Sequence, residues 1–363
     1  MGNHVTGNFQ TINANPQLDG LLANGFSSFI PAGVTPCEMP GAPGAKFEQV
    51  DCNFTNVRNR ENTAFSNYHA LQNELRIQNL HGLTAGGSFT FSKTLDNSSE
   101  IFSTFAGGNS VAGAQNPFDT AAGEKALSGL DFPKTASLYV IYELPFYKSQ
   151  RGFLGRILGG YQVNTTWRYS TGQLWTPIEI AGADSACQTN FDSAFFAGVS
   201  TCRPFLGNAS APVDTVGQCT DPTLSNCGLV DFYTGNPITA ARWIYNDDTS
   251  AAFFKTPYGN VGRNPGVRGQ DVSAVNFSLF KTTRFTERFS LRLEAQVYNL
   301  FNHQFRGVPD PLIEDGNLAN GGPFGNNLFN SSGGAGVEGG GYSNVVLNGL
   351  GRRRMILGAK IVF

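Results

Sequence analysis

The sequence predicts an all-β fold, a transmembrane antiparallel β-barrel segment, and three observations lead to this fold class. Several stretches alternate apolar and polar side chains, as a strand with two different faces requires. The connections between these stretches are alternately short and long. Charged residues make up only 14% of the chain, against about 25% in an ordinary soluble domain. No stretch approaches the ~20 apolar residues of a membrane helix, so strands would have to cross the membrane.

About eight strands of roughly ten residues are predicted, and the first of them is the least regular. In chain order their approximate ranges are 3–11, 67–79, 83–94, 134–146, 157–170, 272–283, 289–301 and 355–363. The seventh shows the pattern well, because Leu291 and Leu293 share one face while Arg292 and Glu294 lie on the other. Ten residues at ~3.3 Å each, tilted by ~45°, span about 23 Å, close to the apolar band of an outer-membrane barrel.

The C-terminal strand carries the clearest alternation in the chain. One of its faces is wholly apolar and consists of Met355, Leu357, Ala359, Ile361 and Phe363. A final amphipathic strand that ends in Phe resembles the assembly signal of bacterial outer-membrane barrels. Leu357, Ile361 and Phe363 are therefore the candidate residues for recognition by the barrel-assembly machinery.

The lengths of the connections predict an orientation. Short turns are expected near 80–82, 147–156 and 284–288, and long loops near 12–66, 95–133, 171–271 and 302–351. In outer-membrane barrels short periplasmic turns alternate with long external loops. The long loops are therefore predicted to be extracellular, and residue 1 and the C-terminus to be periplasmic. The alternative is a soluble all-β protein with one buried and one solvated face.

Nine short motifs, taken together and in this order, resemble a known family. They are 66–72, 89–96, 142–146, 159–163, 170–173, 262–264, 279–281, 298–303 and 351–354. The family is that of TonB-dependent outer-membrane receptors, in particular the C-terminal barrel of the Oar-like group that carries a carboxypeptidase-regulatory-like domain. The resemblance covers nearly the whole chain, at strands and turns rather than in loops.

The resemblance implies a barrel of about 22 strands, a plug domain, a TonB box and a signal peptide. The first residues show neither the basic region nor the apolar region of a signal peptide. Residues 1–363 are therefore predicted to be the C-terminal part of the receptor barrel, with plug and signal peptide absent. An open sheet of eight strands would leave two long edges in lipid, so this segment alone is not expected to form a channel.

Three functions are open at this point. The first is energised uptake of an unidentified solute, with the TonB complex engaged through the missing N-terminal region. The second is an Oar-like surface-interaction or adhesion barrel. The third is a complete small outer-membrane or secreted β protein. If the protein is in the outer membrane, its expected partners are the lipid and lipopolysaccharide of that membrane.

All six cysteines fall in predicted external loops, so none is expected to lie in a strand. They are Cys37, Cys52, Cys187, Cys202, Cys219 and Cys227. Six cysteines allow 15 connectivities, and pairing of sequence neighbours closes only short loops. An oxidising compartment favours disulfides. The alternative, a zinc site, lacks a CxxC pair. The candidate disulfides are therefore 37–52, 187–202 and 219–227.

Motifs of enzymes and cofactor sites are not found in the sequence. It has no HExxH, no Walker loop and no GxSxG, and neither catalytic residues, cofactors nor metals are expected. Gly334 to Gly339 fits GxGxxG but has no strand before it and no helix after it. The net charge of −2 and the pI near 6.1 do not indicate a nucleic-acid partner.

Arg353 is the candidate lipopolysaccharide contact. It falls in the phase of the apolar face at the outer rim of the last strand. A guanidinium binds phosphate through two parallel hydrogen bonds, and lipopolysaccharide carries phosphates at that height. The alternative is an arginine whose head merely reaches back to water.

Overall fold

The computed structural model of the chain describes residues 10–13, 18–34, 37–38, 48–49, 58–61, 63–99, 115–116, 118–119, 124–174, 176–179, 187, 202–263, 265–286, 288–303, 313 and 353–363. Regular structure in these residues is dominated by strands, so the all-β prediction is confirmed. The helices are short and comprise the α-helices Asp19–Ala23, Gly152–Leu158 and Asp248–Phe254 and the 3-10 helix Ser27–Phe29. In this part of the chain, no helix is long and apolar enough to cross a membrane.

Seven long strands form one antiparallel sheet, the main sheet, whose spatial order follows the chain. They are Ser66–Leu80, Leu83–Asp96, Lys134–Glu143, Tyr161–Ser170, Val272–Arg284, Ser290–Tyr298 and Arg354–Val362. The two-residue strand Ala126–Leu127 pairs with the end of the second of these. Among the described residues the sheet is open, with its first and seventh strands at the edges. Seven predicted strand positions are thus confirmed, and the total of about 22 stays a prediction.

The predicted first strand does not join the main sheet in the described residues. Gln10–Asn13 pairs instead with Arg58–Glu61 in a separate two-stranded antiparallel sheet, and residues 3–9 lie outside the described residues. Four residues extend only about 13 Å, far short of the 15-residue strand Ser66–Leu80. The irregular alternation of this segment is consistent with a local pairing inside a long connection.

The register brings most of the large apolar side chains of the seven strands onto one face, the apolar face. Its members include Leu71, Leu75, Ile77, Leu83, Ala85, Phe89, Phe91, Leu138, Val140, Val163, Trp167, Val275, Phe277, Leu279, Leu291, Leu293, Ala295, Val297, Met355, Leu357, Ala359 and Ile361. Leu138, for example, lies opposite Gly87 on one side and Trp167 on the other. Because side chains alternate along each strand, the residues of the other phase form a second, mostly polar face, the polar face.

Short connections lie at one end of the main sheet and long ones at the other. Residues 81–82, 144–160 and 285–289 join strands at the short-turn end, and 97–133, 171–271 and 299–353 join them at the long-loop end. At the tightest turn, His81 and Gly82 have φ of 54° and 88°, the positive values that a two-residue hairpin loop of type I′ requires. The predicted alternation of connection lengths is confirmed, with one change at 144–160.

That change concerns the predicted strand 157–170, which begins only at Tyr161. Ile157 and Leu158 continue the apolar pattern in the sequence, yet they belong to the helix Gly152–Leu158. The short-turn end therefore carries a small helix between the third and fourth strands.

The long connections also fold, into what we call the loop cap: the described residues of 18–34, 115–131, 176–187 and 202–263. It contains a four-stranded sheet made of Phe205–Leu206, Trp243–Ile244, Val216–Gln218 and Val230–Asp231. The region 171–271, predicted as a long loop, is therefore a folded unit through most of its described residues. Its packing supplies the reason, since Phe205 stacks on Phe254 at 4.3 Å between ring centroids and Trp243 is fully buried.

The buried apolar core lies in the loop cap and not in the main sheet. Leu18 and Leu21 pack with Phe205 and Ile244 in the largest cluster of the described residues. The main-sheet strands contribute only Ala274 and Phe280 to the buried apolar residues described. In an ordinary soluble protein the sheet would carry the core.

Candidate functional site: the apolar face, the terminal strand and the loop cap

Large hydrophobic side chains of the apolar face are open to the surroundings. Leu75 is 68% exposed, Phe91 52%, Leu293 45% and Leu357 80%. Exposed apolar patches on soluble monomers rarely exceed a few hundred Å², whereas this one runs across seven strands. Its chemistry suits contact with hydrocarbon, not with water.

Aromatic rings mark both ends of the apolar face. Near the long-loop end Trp167 stacks on Tyr169, with 6.2 Å between centroids. The Trp167 ring N–H donates to Ser273, and the Tyr169 hydroxyl donates to Asp271. At the short-turn end Phe285 and Phe289 lie 6.4 Å apart. Paired aromatic girdles of this kind flank the apolar band of outer-membrane barrels.

Polar side chains of the polar face are hydrogen-bonded to one another, as in a surface that lines a water-filled space. Gln162 donates to Asn164 at 2.8 Å, and Asn276 donates to Thr166 at 3.1 Å across neighbouring strands. The Arg292 guanidinium lies over the Phe280 ring, 4.2 Å from its centroid. Such a face can contact water and a polar solute, while the apolar face cannot.

The terminal strand is placed as the sequence predicts. Leu357 and Ile361 lie on the apolar face opposite Ala295 and Leu291, and Phe363 follows the strand at the short-turn end, 94% exposed. Arg353 lies at the long-loop end, where its side chain is exposed and its backbone N–H donates to Asn302 Oδ1 at 3.0 Å. Its contact with lipopolysaccharide stays a prediction.

Two of the three candidate disulfides lie in the described residues, and both are formed. Cys187 bonds Cys202 and Cys219 bonds Cys227, with Cα–Cα distances of 5.7 and 5.1 Å. All four of these cysteines are buried in the loop cap. Cys52, and with it the pairing to Cys37, lies outside the described residues.

The expectation that no cysteine lies in a strand is wrong for Cys37. It belongs to the two-residue strand Cys37–Glu38, which pairs with Glu48–Gln49. This short ribbon lies inside a long connection, where two-residue strands give no periodic signal in the sequence.

We expect the Cys219→Ser/Cys227→Ser variant to weaken the loop cap by about 2–4 kcal/mol, because the bond restricts the unfolded chain. Limited proteolysis should show faster cleavage within 202–263, with the main sheet unchanged. Ser210→Ala, an exposed change in the same region, is the control. Equal cleavage rates in the double variant and the control would contradict the prediction.

A buried ionic network, which sequence reasoning missed, joins the loop cap to the main sheet. Arg203 Nη2 lies 2.5 Å from Glu124 Oε2, and Arg263 donates to both Asp96 and the backbone carbonyl of Glu124. The side chains of these four residues are at most 4% exposed. Since Asp96 ends the second strand of the main sheet, the cap is held to the sheet by buried charge pairs.

A third arginine, Arg268, lies just after the loop cap in the chain and joins the cap to the strand ends. Arg268 donates to the backbone carbonyls of Asp131 and Gly172 and lies 2.5 Å from the Asp131 carboxylate. Asp131 in turn accepts from the backbone N–H of Thr94 at 2.6 Å. The ends of the second, third and fourth strands are thus bound to one guanidinium and one carboxylate.

Two of the nine sequence motifs meet in this network. Arg263 is the centre of the motif 262–264, and Asp96 ends the motif 89–96. The sequence signal that could have predicted this ion pair is that one motif contains an arginine and another ends in an aspartate. Elsewhere in the described residues, no three His, Cys, Asp or Glu side chains are grouped to hold a metal ion.

Comparison with protein families adds an independent result. A family model described as an outer membrane beta-barrel domain matches residues 1–332, a span that includes six of the seven long strands. Comparison with curated proteins gives no match.

Proposed function

The chain belongs to the outer membrane beta-barrel domain family, and we propose that it forms the C-terminal barrel part of a TonB-dependent receptor. In this proposal the bacterial outer membrane holds the strands, and the protein takes up an unidentified solute with energy from the TonB complex. The observation that carries the proposal is the buried contact of Arg263 with Asp96, which joins two motifs that resemble this receptor family.

The two faces of the main sheet support the same proposal. The apolar face would contact lipid, and the polar face would line the path of the solute. The exposed backbone groups at the two sheet edges cannot face hydrocarbon. Further strands must therefore complete the barrel in the membrane.

Cross-linking to TonB tests the transport proposal. In the native host, formaldehyde treatment of cells that express the whole product of this locus, with any N-terminal region that it encodes, should give a TonB adduct when that product is purified. A strain without TonB provides the control. Correctly localised protein that gives no adduct in TonB-containing cells would contradict energised uptake.

The folded loop cap favours a second candidate, an Oar-like surface-interaction barrel. Two disulfides brace a unit whose turns at 206–210 and 222–226 are exposed, an arrangement suited to binding a macromolecule. Deletion of the gene would then reduce cell–cell or cell–matrix attachment without changing solute uptake. Normal attachment by the deletion strain would argue against this candidate.

We also propose that the long-loop end faces the outside of the cell. Cysteines introduced at Ser210 and Thr286, both exposed, should then behave differently in intact cells. A membrane-impermeant maleimide should label position 210 and should label position 286 only after the outer membrane is permeabilised. Labelling of position 286 in intact cells would reverse the orientation.

Arg353→Gln should reduce the lipopolysaccharide that co-purifies with the protein. Near the interface an arginine costs only about 0–1 kcal/mol, so the change should affect lipid binding more than folding. Arg354→Gln is the matched control, because Arg354 pairs with Tyr298 in the polar phase of the strand. Equal losses from both variants, or none from Arg353→Gln, would contradict the lipid contact.

A further inference from the structure

The helix Gly152–Leu158 presents apolar side chains outward. Phe153 is 79% exposed, Leu154 63%, Ile157 45% and Leu158 46%. At ~100° per residue, these four positions form one stripe about 140° wide. The apolar stripe of a surface helix in a soluble protein faces the core, so this helix is turned the opposite way.

Glycine occupies the side of this helix that faces the protein. Gly155 is buried, and a Cβ added there would come within 3.0 Å of the Gln150 backbone. No larger side chain fits in this position without a shift of the backbone. The close approach packs this side of the helix against the turn that precedes it, and the apolar stripe lies on the other side.

Hydrogen bonds attach the helix on the same side as the apolar face. Lys281 lies in the phase of that face, opposite Leu293 and Tyr161. Its ammonium donates to the Arg156 carbonyl at 2.6 Å and to the Gly159 carbonyl. The C-terminal end of the helix therefore lies on the apolar side of the sheet, not on the polar side.

A second contact holds the start of the connection to the sheet end. The Gln150 amide donates to the Thr282 carbonyl at 2.7 Å and accepts from the Arg284 backbone N–H at 2.9 Å. The helix is thus fastened at two points to the edge of the apolar face, and its stripe continues that face past the end of the strands.

The connection is strictly cationic. Lys148, Arg151 and Arg156 are exposed, and residues 144–160 include no Asp or Glu. Phe146 and Tyr147 are also exposed, by 61% and 55%. Exposed aromatic and aliphatic side chains next to arginine and lysine match the two layers of a lipid surface, acyl chains below phosphate groups.

We propose that this segment, the connection 144–160, is an interfacial anchor that binds anionic glycerophospholipid in the leaflet at the short-turn end. The stripe lies among the upper acyl chains, and the arginines contact headgroup phosphates. This inference rests on the proposed placement of the main sheet in the outer membrane.

Photo-cross-linking in native cells tests the anchor. We would place p-benzoylphenylalanine at Leu154, purify the chain from the outer-membrane fraction and identify adducts by mass spectrometry. The expected product is a glycerophospholipid adduct. A protein adduct, a lipopolysaccharide adduct or no adduct at Leu154 would overturn the proposal.

The same probe at two further positions distinguishes failure of the anchor proposal from failure of the membrane placement. The probe at Leu357, on the apolar face, should give lipid adducts if the strands are in the membrane. At Leu224, an exposed leucine of the loop cap, it should give no phospholipid adduct. Adducts at Leu357 without adducts at Leu154 would overturn the anchor alone, and their absence at both would overturn the membrane placement.

Charge variants test the headgroup contact. With the probe at Leu154, Arg151→Gln and Arg156→Gln should each lower the ratio of anionic to zwitterionic adducts, by up to about fivefold. Arg242→Gln, in the loop cap, is the control. An unchanged ratio in both helix variants would overturn the preference for anionic lipid.

Discussion

Replacing Glu124 with Gln is expected to destabilise the loop cap by about 3–5 kcal/mol, since loss of one partner leaves a buried charge uncompensated. Arg203 would keep its full charge at a side-chain exposure of 2%. Glu124 also accepts from the Gln115 backbone N–H at 3.1 Å, and the single amide oxygen of a glutamine can serve Gln115 or Arg203 but not both. Hydrogen exchange of the detergent-solubilised protein should show faster exchange across 202–263.

The control for this variant is Asp214→Asn, which removes a carboxylate at an exposed position of the same region. The amides of the main sheet should exchange at the unaltered rate in both variants, because the sheet keeps its own hydrogen bonds. If Glu124→Gln and Asp214→Asn behave alike, the buried pair does not hold the cap.

Deletion of Phe363 is expected to cause the second large effect, a severalfold fall in the amount of assembled protein in the outer membrane. Phe363 is 94% exposed and is not part of the buried apolar core. Its loss therefore removes little packing, so a large effect would have to come from recognition of the terminal strand. Quantitative immunoblots of outer-membrane fractions would measure it.

A matched pair of substitutions separates recognition from lipid contact. Phe363→Ala and Phe289→Ala remove the same side chain at the same end of the sheet, where Phe289 is 41% exposed. If Phe363 is only a lipid-facing aromatic, the two variants should lose similar, modest amounts of protein. The assembly-signal prediction requires a much larger loss for Phe363→Ala.

The main sheet could be predicted from the sequence because the alternation of side chains in a strand involves only residues that are close in sequence. A strand repeats every two residues, so Leu291, Leu293 and Ala295 show their shared face without knowledge of any neighbour. The pairing of Ala295 with Leu357 then follows from matching two such faces in adjacent strands. The total of about 22 strands stays a prediction, because the main sheet of the described residues is open.

The helix at 152–158 escaped prediction for a physical reason. Seven residues with glycine at positions 152 and 155 form no stable helix by themselves. The segment is held by Lys281 and Gln150 through contacts with the fifth strand, more than 120 residues away in sequence. Only the folded sheet brings those partners together.

The ionic network escaped for a related reason. Arg203 and Glu124 are 79 residues apart, and Arg263 and Asp96 are 167 apart. A single charged residue in a long loop is normally interpreted as exposed to solvent, because the sequence does not show its partner. The two- and three-residue strands of the cap are also too short to show a period.

The arginines of the ionic network lie on one side of the loop cap, so the two sides of the cap should tolerate substitutions to different degrees. Arg263 and Arg268 face the strand ends, where almost any replacement would strand a buried carboxylate. The turns at 206–210 and 222–226 are exposed, and the hydrogen bonds described for them go to residues outside this network. In the proposed orientation, with the long-loop end outside the cell, agents that attack the cell surface would meet these exposed turns first. Escape variants can therefore accumulate there while the attachment to the membrane sheet stays intact.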